Sequence, residues 1–133
     1  MSPLKIREAD GRDLSVILRL INTHANHGKI LKRTRKDVRK VLRSFVVAEV
    51  GGEVVGCVAL EIYSKKLAEI RSLVVEPAYR KKGIATALIK RCIDMAGKKE
   101  IYEVLAITDR DGVFGRHGFS QQLHGQKALF LRP

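Results

Sequence analysis

Leu73-Val74-Val75-Glu76-Pro77-Ala78-Tyr79-Arg80-Lys81-Lys82-Gly83-Ile84-Ala85-Thr86-Ala87-Leu88-Ile89 carries an apolar strand through a basic, glycine-bearing turn into a helix. The first turn of a helix presents backbone N–H groups without intrahelical partners and a partial positive charge, so a loop that exposes those amides gathers phosphate oxygens. Arg80, Lys81 and Lys82 set full charges beside it, and Gly83 lets the backbone approach a ligand with no Cβ in the way. The turn reads as a pyrophosphate cradle. Its spacing, Arg80-x-x-Gly83-x-Ala85, matches neither the dinucleotide fingerprint nor the P-loop. A strand, basic turn and helix also occur in α/β domains without a phosphate ligand, so the rest of the chain has to decide.

Working outward, Leu4 and Ile6 alternate with polar neighbours and predict a short first strand. Asp10 is placed to cap a helix whose stripe is Leu14, Ile17, Leu18 and Ile21, with Asp13 in its first turn and Gly28 as its stop. Thr34 and Asp37 predict a second capped start, followed by Val38, Val41 and Leu42 on a buried face. Phe45 to Val50 and Val54 to Tyr63, joined by Gly51-Gly52, read as a β-hairpin, and Leu67 to Val75 as a further strand. After the cradle, Leu88, Ile89, Cys92, Met95 and Ala96 share a helix face that Gly97 is expected to end. Val104 to Thr108, a short helix at Val113 to Arg116, and strands near Phe119 to Leu123 and Ala128 to Leu131 complete the order β-α-α-β-β-β-α-β-α-β-β. The fold class is α/β (α+β), one mixed central sheet with helices on both faces.

The 133 residues suffice for one domain with an ordinary core. No apolar run reaches the roughly 20 residues of a membrane span, and the amino terminus lacks the apolar region of a signal peptide, which predicts no membrane partner and a cytoplasmic location. Cys57 and Cys92 both lie in apolar surroundings and read as buried reduced thiols rather than a bridge or a zinc site. His24 and His27 have a metal-compatible spacing but no third ligand nearby, so no metal is expected. The net charge of +12, from 26 basic and 14 acidic side chains, concentrates anionic partners without naming one. Nucleic acid is disfavoured by the absence of Trp, the few aromatics and the lack of a reading-head motif.

Arg80-x-x-Gly83-x-Ala85, preceded by Val75-Glu76-Pro77-Ala78-Tyr79 and followed later by Phe114-Gly115-Arg116-His117-Gly118-Phe119, resembles the GCN5-related N-acetyltransferases, whose acetyl-coenzyme A loop reads Arg/Gln-x-x-Gly-x-Gly/Ala. The resemblance covers nearly the whole chain and treats residues 1–133 as one domain. It implies a sheet splayed between the strands ending near Val75 and Thr108, with acetyl-CoA as co-substrate. Leu73, Val74 and Val75 would offer strand backbone to the pantetheine arm, and Arg80, Lys81, Lys82, Gly83, Ile84, Ala85 and Thr86 would hold the pyrophosphate. The side chains of Leu73 to Val75 read equally well as core, and both roles fit one strand.

Transfer of acetyl to an amine needs that amine neutral, which at pH 7 costs about 4 to 5 kcal/mol for a lysine-like amine and about 1 for a peptide α-amine. A nearby carboxylate lowers that cost. Glu69, in Ala68-Glu69-Ile70, sits on the strand leading to the cradle, where the resembling branch places its general base; the alternative is a surface strand residue paired with Arg71 or a cross-strand basic group. Family members often carry a Tyr that protonates the leaving thiolate where this chain has Phe114, so Phe114 is expected to pack on the cofactor arm or the core. Thr108 or a water is left for the acid.

Gly28-Lys29-Ile30-Leu31-Lys32-Arg33-Thr34, Phe45-Val46-Val47-Ala48-Glu49, Gly56-Cys57-Val58-Ala59-Leu60 and Ala68-Glu69-Ile70 are similar to the N-acetylglutamate synthase and amino-acid N-acetyltransferase branch. That likeness implies L-glutamate or a related amino acid as acceptor, in arginine synthesis, with Arg33 gripping a substrate carboxylate through its guanidinium fork. A solvated basic lead-in to a helix is the competing reading of Arg33. The chain lacks the branch's Arg-x-Ser-Lys tail and has Ile107 where that branch has a serine. A protein N-terminal or lysine acetyltransferase, and a non-catalytic module binding coenzyme A or nucleic acid, remain open. Family members of this kind are often dimers, so a homodimer is a further expectation.

Overall fold

The computed structural model describes residues 3–24 and 32–133. Strand β1 (Leu4–Glu8) leads to a capped 3-10 turn and helix α1 (Leu14–Thr23). Helix α2 (Arg35–Lys40) precedes strands β2 (Phe45–Val50), β3 (Glu53–Ile62) and β4 (Leu67–Val75). Helix α3 (Ile84–Lys98), strand β5 (Glu103–Ala106) and helix α4 (Asp111–Gly115) follow. The strands form one sheet in the order β1-β2-β3-β4-β5, antiparallel except for the parallel pair β4 and β5. Both expected caps are formed. Asp10 and Asp13 bond reciprocally at the first helical turn, and Thr34 and Asp37 do so at α2.

The sheet separates two cores. Val46, Val58, Leu60, Ala68 and Ile70 face Leu88, Ile89 and Cys92 of α3; on the other side Phe45, Val47, Cys57 and Ala59 face Ile17, Leu20 and Ile21 of α1 and Val38 of α2. Each fully buried aliphatic chain contributes roughly 1.5 to 3 kcal/mol, so these layers hold the sheet in place. Strand β4 carries one irregularity. Cys57 pairs with Val74 but Ala59 with Arg71, so β4 carries one residue more than β3 across that interval. Ser72 lies inside the interval, with φ at +56°. Ala68 and Ile70 face α3 before it and Val75 after it, while Val74 faces α1, which reverses the alternation along the strand.

Several expectations need correction. Helix α3 ends at Lys98, one residue past Gly97, and it is Glu100 that takes the left-handed conformation, at φ +57°, while the Ile101 amide returns to the Ala96 carbonyl at 3.0 Å. The last paired strand is shorter than Val104 to Thr108 and the short helix begins earlier, at Asp111. The strands expected near Phe119 to Leu123 and Ala128 to Leu131 are absent among the described residues, where only an isolated bridge joins Leu123 and Gln126. Alternating side chains make a strand only when a neighbouring edge takes up their backbone bonds. Phe119 packs edge-on against Phe114 instead, ring centroids 5.3 Å apart, and Leu129, Phe130 and Leu131 stay exposed. The helix stop at Gly28, the residue His27 and the stretch Gly28-Lys29-Ile30-Leu31 lie outside the described residues.

Candidate active site

Strands β4 and β5 pair only from Leu67↔Glu103 to Ile70↔Ala106. Beyond Ile70, β4 runs on to Val75 with no strand of the described residues on that side, and a cleft of about 790 Å³ opens there. Glu69, Ser72 and Leu73 line one wall, Thr108 and Phe114 the other. Val74 and Val75 bury their side chains in opposite cores while their backbone faces the cleft, so the two roles expected of this strand are compatible.

At one end of the cleft, Pro77–Tyr79 make a 3-10 turn and the chain enters α3 through Lys81 at φ +61° and Gly83 at φ +81°. Left-handed conformers this close together turn successive amides towards one side, and the first amides of α3 continue the series. Arg80 bonds the Val75 carbonyl at 3.1 Å through Nε, which fixes the loop to the end of β4. Lys82 Nζ stands 5.5 Å from the Tyr79 ring centre. A Cβ on Gly83 would meet nothing within 4 Å, so space does not demand glycine there; the left-handed φ does. Ile84 is buried, Ala85 half-buried and Thr86 exposed, so of these three Ile84 anchors the helix in the core.

At the other end lies a charged cluster that the sequence reading had only in part. The side chain of Arg33 is 14% exposed and donates to Glu61 at 3.2 Å and to Ser72 Oγ at 3.4 Å. The Asn22 side chain of α1 clasps the peptide of Arg33 on both sides, at 2.9 and 3.0 Å. This is an ordered guanidinium, not a solvated one. Arg71 donates to the second oxygen of Glu61 at 2.7 Å. Burial works to raise the Glu61 carboxyl, but the hydrogen bond and charge of Arg71 and the charge of Arg33 outweigh it and hold the group below its ordinary value. Arg71 thus pairs with Glu61, while Glu69 accepts at 2.6 Å from the Tyr63 hydroxyl. Counting Arg80, Arg110 and Arg132, five guanidiniums line the cleft against Glu69 and Asp109. Its field favours anions.

Phe114 is buried and lines the cleft without any proton to give. Thr108 Oγ1 accepts from the Arg110 amide at 2.9 Å, and Ile107 is exposed. His24 lines the cleft from the end of α1, and no metal-binding group of three acidic, His or Cys side chains occurs among the described residues. Cys57 and Cys92 are free and buried, and burial pushes each thiol up to about 12. A second, smaller cleft is lined by Arg7, Asp13 and Glu49, whose charges are already joined at 2.8 to 3.1 Å and tie β1 to the start of α1.

The Acetyltransferase (GNAT) family description matches residues 15–125. An uncharacterized N-acetyltransferase of Chlorobaculum tepidum is 36% identical over 116 residues, 87% of this chain and 75% of that protein. An amino-acid acetyltransferase of Mycobacterium tuberculosis is 34% identical over 120 residues, covering 87% and 68%. Among solved structures, a Mycobacterium tuberculosis protein in complex with CoA superposes with a TM-score of 0.85 at 31% identity, over 90% of this chain and 73% of the other. N-acetylglutamate synthase of Neisseria gonorrhoeae, complexed with coenzyme A and N-acetyl-glutamate, gives 0.83 at 27% identity over 92% of this chain, which spans 30% of that protein. The chain belongs to the GNAT acetyltransferase family. It is an acetyl-CoA-dependent N-acetyltransferase, with acetyl-CoA as co-substrate.

Proposed function

We propose that the protein acetylates the α-amine of L-glutamate or a related acidic amino acid, a step at the entry to arginine synthesis. One observation carries the reading: Glu69, Arg71 and the Glu61-bound Arg33 are gathered beside the open edge of β4, so a carboxylate that can accept a proton stands next to guanidiniums that can take anions. The reacting form of glutamate has a neutral amine and two carboxylates. A cleft with five arginines suits that double negative charge, and the amino-acid acetyltransferases among the relatives agree with it.

In this scheme the amides at Lys81 to Ile84, with Arg80, Lys81, Lys82 and the first turn of α3 through Ala85 and Thr86, hold the pyrophosphate of acetyl-CoA. Leu73, Val74 and Val75 offer backbone to its pantetheine arm. Arg33 and Arg71 hold the acceptor carboxylates. Glu69 removes a proton from the acceptor ammonium, directly or through a water, and the amine nitrogen attacks the thioester carbonyl. A backbone N–H of β4 stabilises the negative oxygen, the C–S bond breaks, and the second amine proton leaves as the amide forms. Phe114 covers the arm, and the departing thiolate takes a proton from Thr108 or water. The products are the N-acetyl amino acid and free coenzyme A.

The test is thiol release from acetyl-CoA with L-glutamate, other amino acids, a peptide N-terminus and no acceptor. Glutamate-dependent release is the expected result. Release only with peptide would move the protein to modification of other proteins, and none with any acceptor would leave a coenzyme A-binding module. Glu69→Gln is expected to lower turnover at neutral pH and to recover in part as the acceptor amine deprotonates at higher pH. An unchanged pH–rate profile would remove Glu69 as base.

A further inference from the structure

Tyr63 lies just after β3, in the turn to β4, with its amide bonded to the Leu67 carbonyl at 2.9 Å. The residue is 54% exposed, yet its hydroxyl reaches Glu69 Oε1 at 2.6 Å. The register places Glu61 opposite Glu69 across the hairpin, and Glu61 takes bonds from both Arg33 and Arg71. Arg71 lies two residues beyond Glu69 on the same face of β4 and is the cation best placed to capture it. Across the cleft stand His24, Arg33, Asp109, Arg110 and Arg132. Tyr63 is the group that holds Glu69 by a hydrogen bond among the described residues.

We propose that Tyr63 is a positioning residue for acetyl transfer: its hydroxyl fixes one oxygen of Glu69, keeps the carboxylate off Arg71, and leaves the second oxygen to meet the acceptor amine. The proposal rests on Glu69 as the base. A positioned carboxylate accepts a proton only where its free lone pair points at the donor, and one misplaced by a rotamer loses most of that advantage. If Glu69 swung to Arg71, the same movement would occupy a guanidinium meant for the acceptor. Burial and the bond to Glu69 push the Tyr63 hydroxyl up to about 12, so it stays a donor over the range in which the acceptor amine titrates.

The experiment compares Tyr63→Phe, Glu69→Gln and the double variant, with the exposed Tyr102→Phe, just before β5, as control, by steady-state kinetics from neutral to alkaline pH and by acetyl-CoA binding. Tyr63→Phe is expected to lower kcat about tenfold at neutral pH, to recover towards high pH as the amine supplies itself unprotonated, and to leave acetyl-CoA affinity unchanged. In the Glu69→Gln background it is expected to add nothing. Equal loss in both backgrounds, or a loss that does not shrink with pH, overturns the role of Tyr63. Full kcat in Tyr63→Phe with a deficient Glu69→Gln overturns Tyr63 alone, while full kcat in Glu69→Gln overturns the base and Tyr63 with it. Carboxyl carbon spectra of the protein with labelled glutamate, expected to show one resonance that moves in Tyr63→Phe and vanishes in Glu69→Gln, report the contact without turnover. No change there in Tyr63→Phe overturns the proposal.

Discussion

Replacing Glu61 by Gln isolates the charge that holds Arg33 and Arg71 together. Its side chain is 11% exposed and accepts from Arg71 at 2.7 Å and from Arg33 at 3.2 Å. Exposed ion pairs contribute about 0 to 1 kcal/mol and breaking a buried one costs about 3 to 5; a pair at the wall of an open cleft falls between, at about 1 to 2 kcal/mol. A kcal/mol lowers the melting temperature of a domain this size by about 3 to 5 °C, so Glu61→Gln is expected to melt roughly 3 to 10 °C lower at pH 7. The carboxyl is held below its ordinary 4.5 in the folded protein. Its stabilisation is therefore complete above that value and disappears as the pH falls through the lowered folded value. Melting curves of wild type and variant, followed by circular dichroism between pH 7 and pH 3, should converge on acidification. A gap that stays constant with pH would show that the variant disturbs packing and not the ion cluster.

Gly83→Val places a β-branched side chain at φ +81° in front of the cradle and is expected to weaken acetyl-CoA binding at least about tenfold by calorimetry; retained affinity would sink the phosphate assignment. Arg33→Lys keeps a charge but loses the fork held between Glu61 and Ser72, and is expected to raise the KM for glutamate about tenfold while leaving that for acetyl-CoA in place. An equal rise in both would point to a folding defect. Cys57 and Cys92, with thiols pushed up to about 12 by burial, should resist a chromogenic disulfide at neutral pH until the protein is unfolded, when both should react. Fast labelling of the folded protein would contradict that burial.

Strand β4 was legible to the residue because Leu67 to Val75 is bounded by a polar turn and by Pro77, and both helix caps were legible because Asp10/Asp13 and Thr34/Asp37 act within a few residues of themselves. The charged cluster was not, since Arg33, Glu61 and Arg71 are distant in the chain and meet only through packing of the α1 end against the sheet. A signal was nevertheless present. Once the turn at Ser64–Lys66 is recognised, counting outward pairs Glu61 with Glu69, and two facing carboxylates demand separate partners. The terminal strands failed for the opposite reason: apolar residues such as Leu129 and Leu131 carry a strand-like pattern, but nothing local supplies the backbone partner that would turn pattern into structure.

The extra residue at Ser72 divides β4 into two halves with separate obligations. The half before it carries Glu69 and Arg71, which line the cleft; the half after it sets Val74 and Val75 into the two cores and leads to the turn at Lys81 and Gly83. A substitution at Arg71 can therefore change the charge of the cleft without repacking the part of the strand that leads into the turn before α3. The strand thus has a seam: the charges along the cleft can change on one side of it while the packing on the other side stays in place.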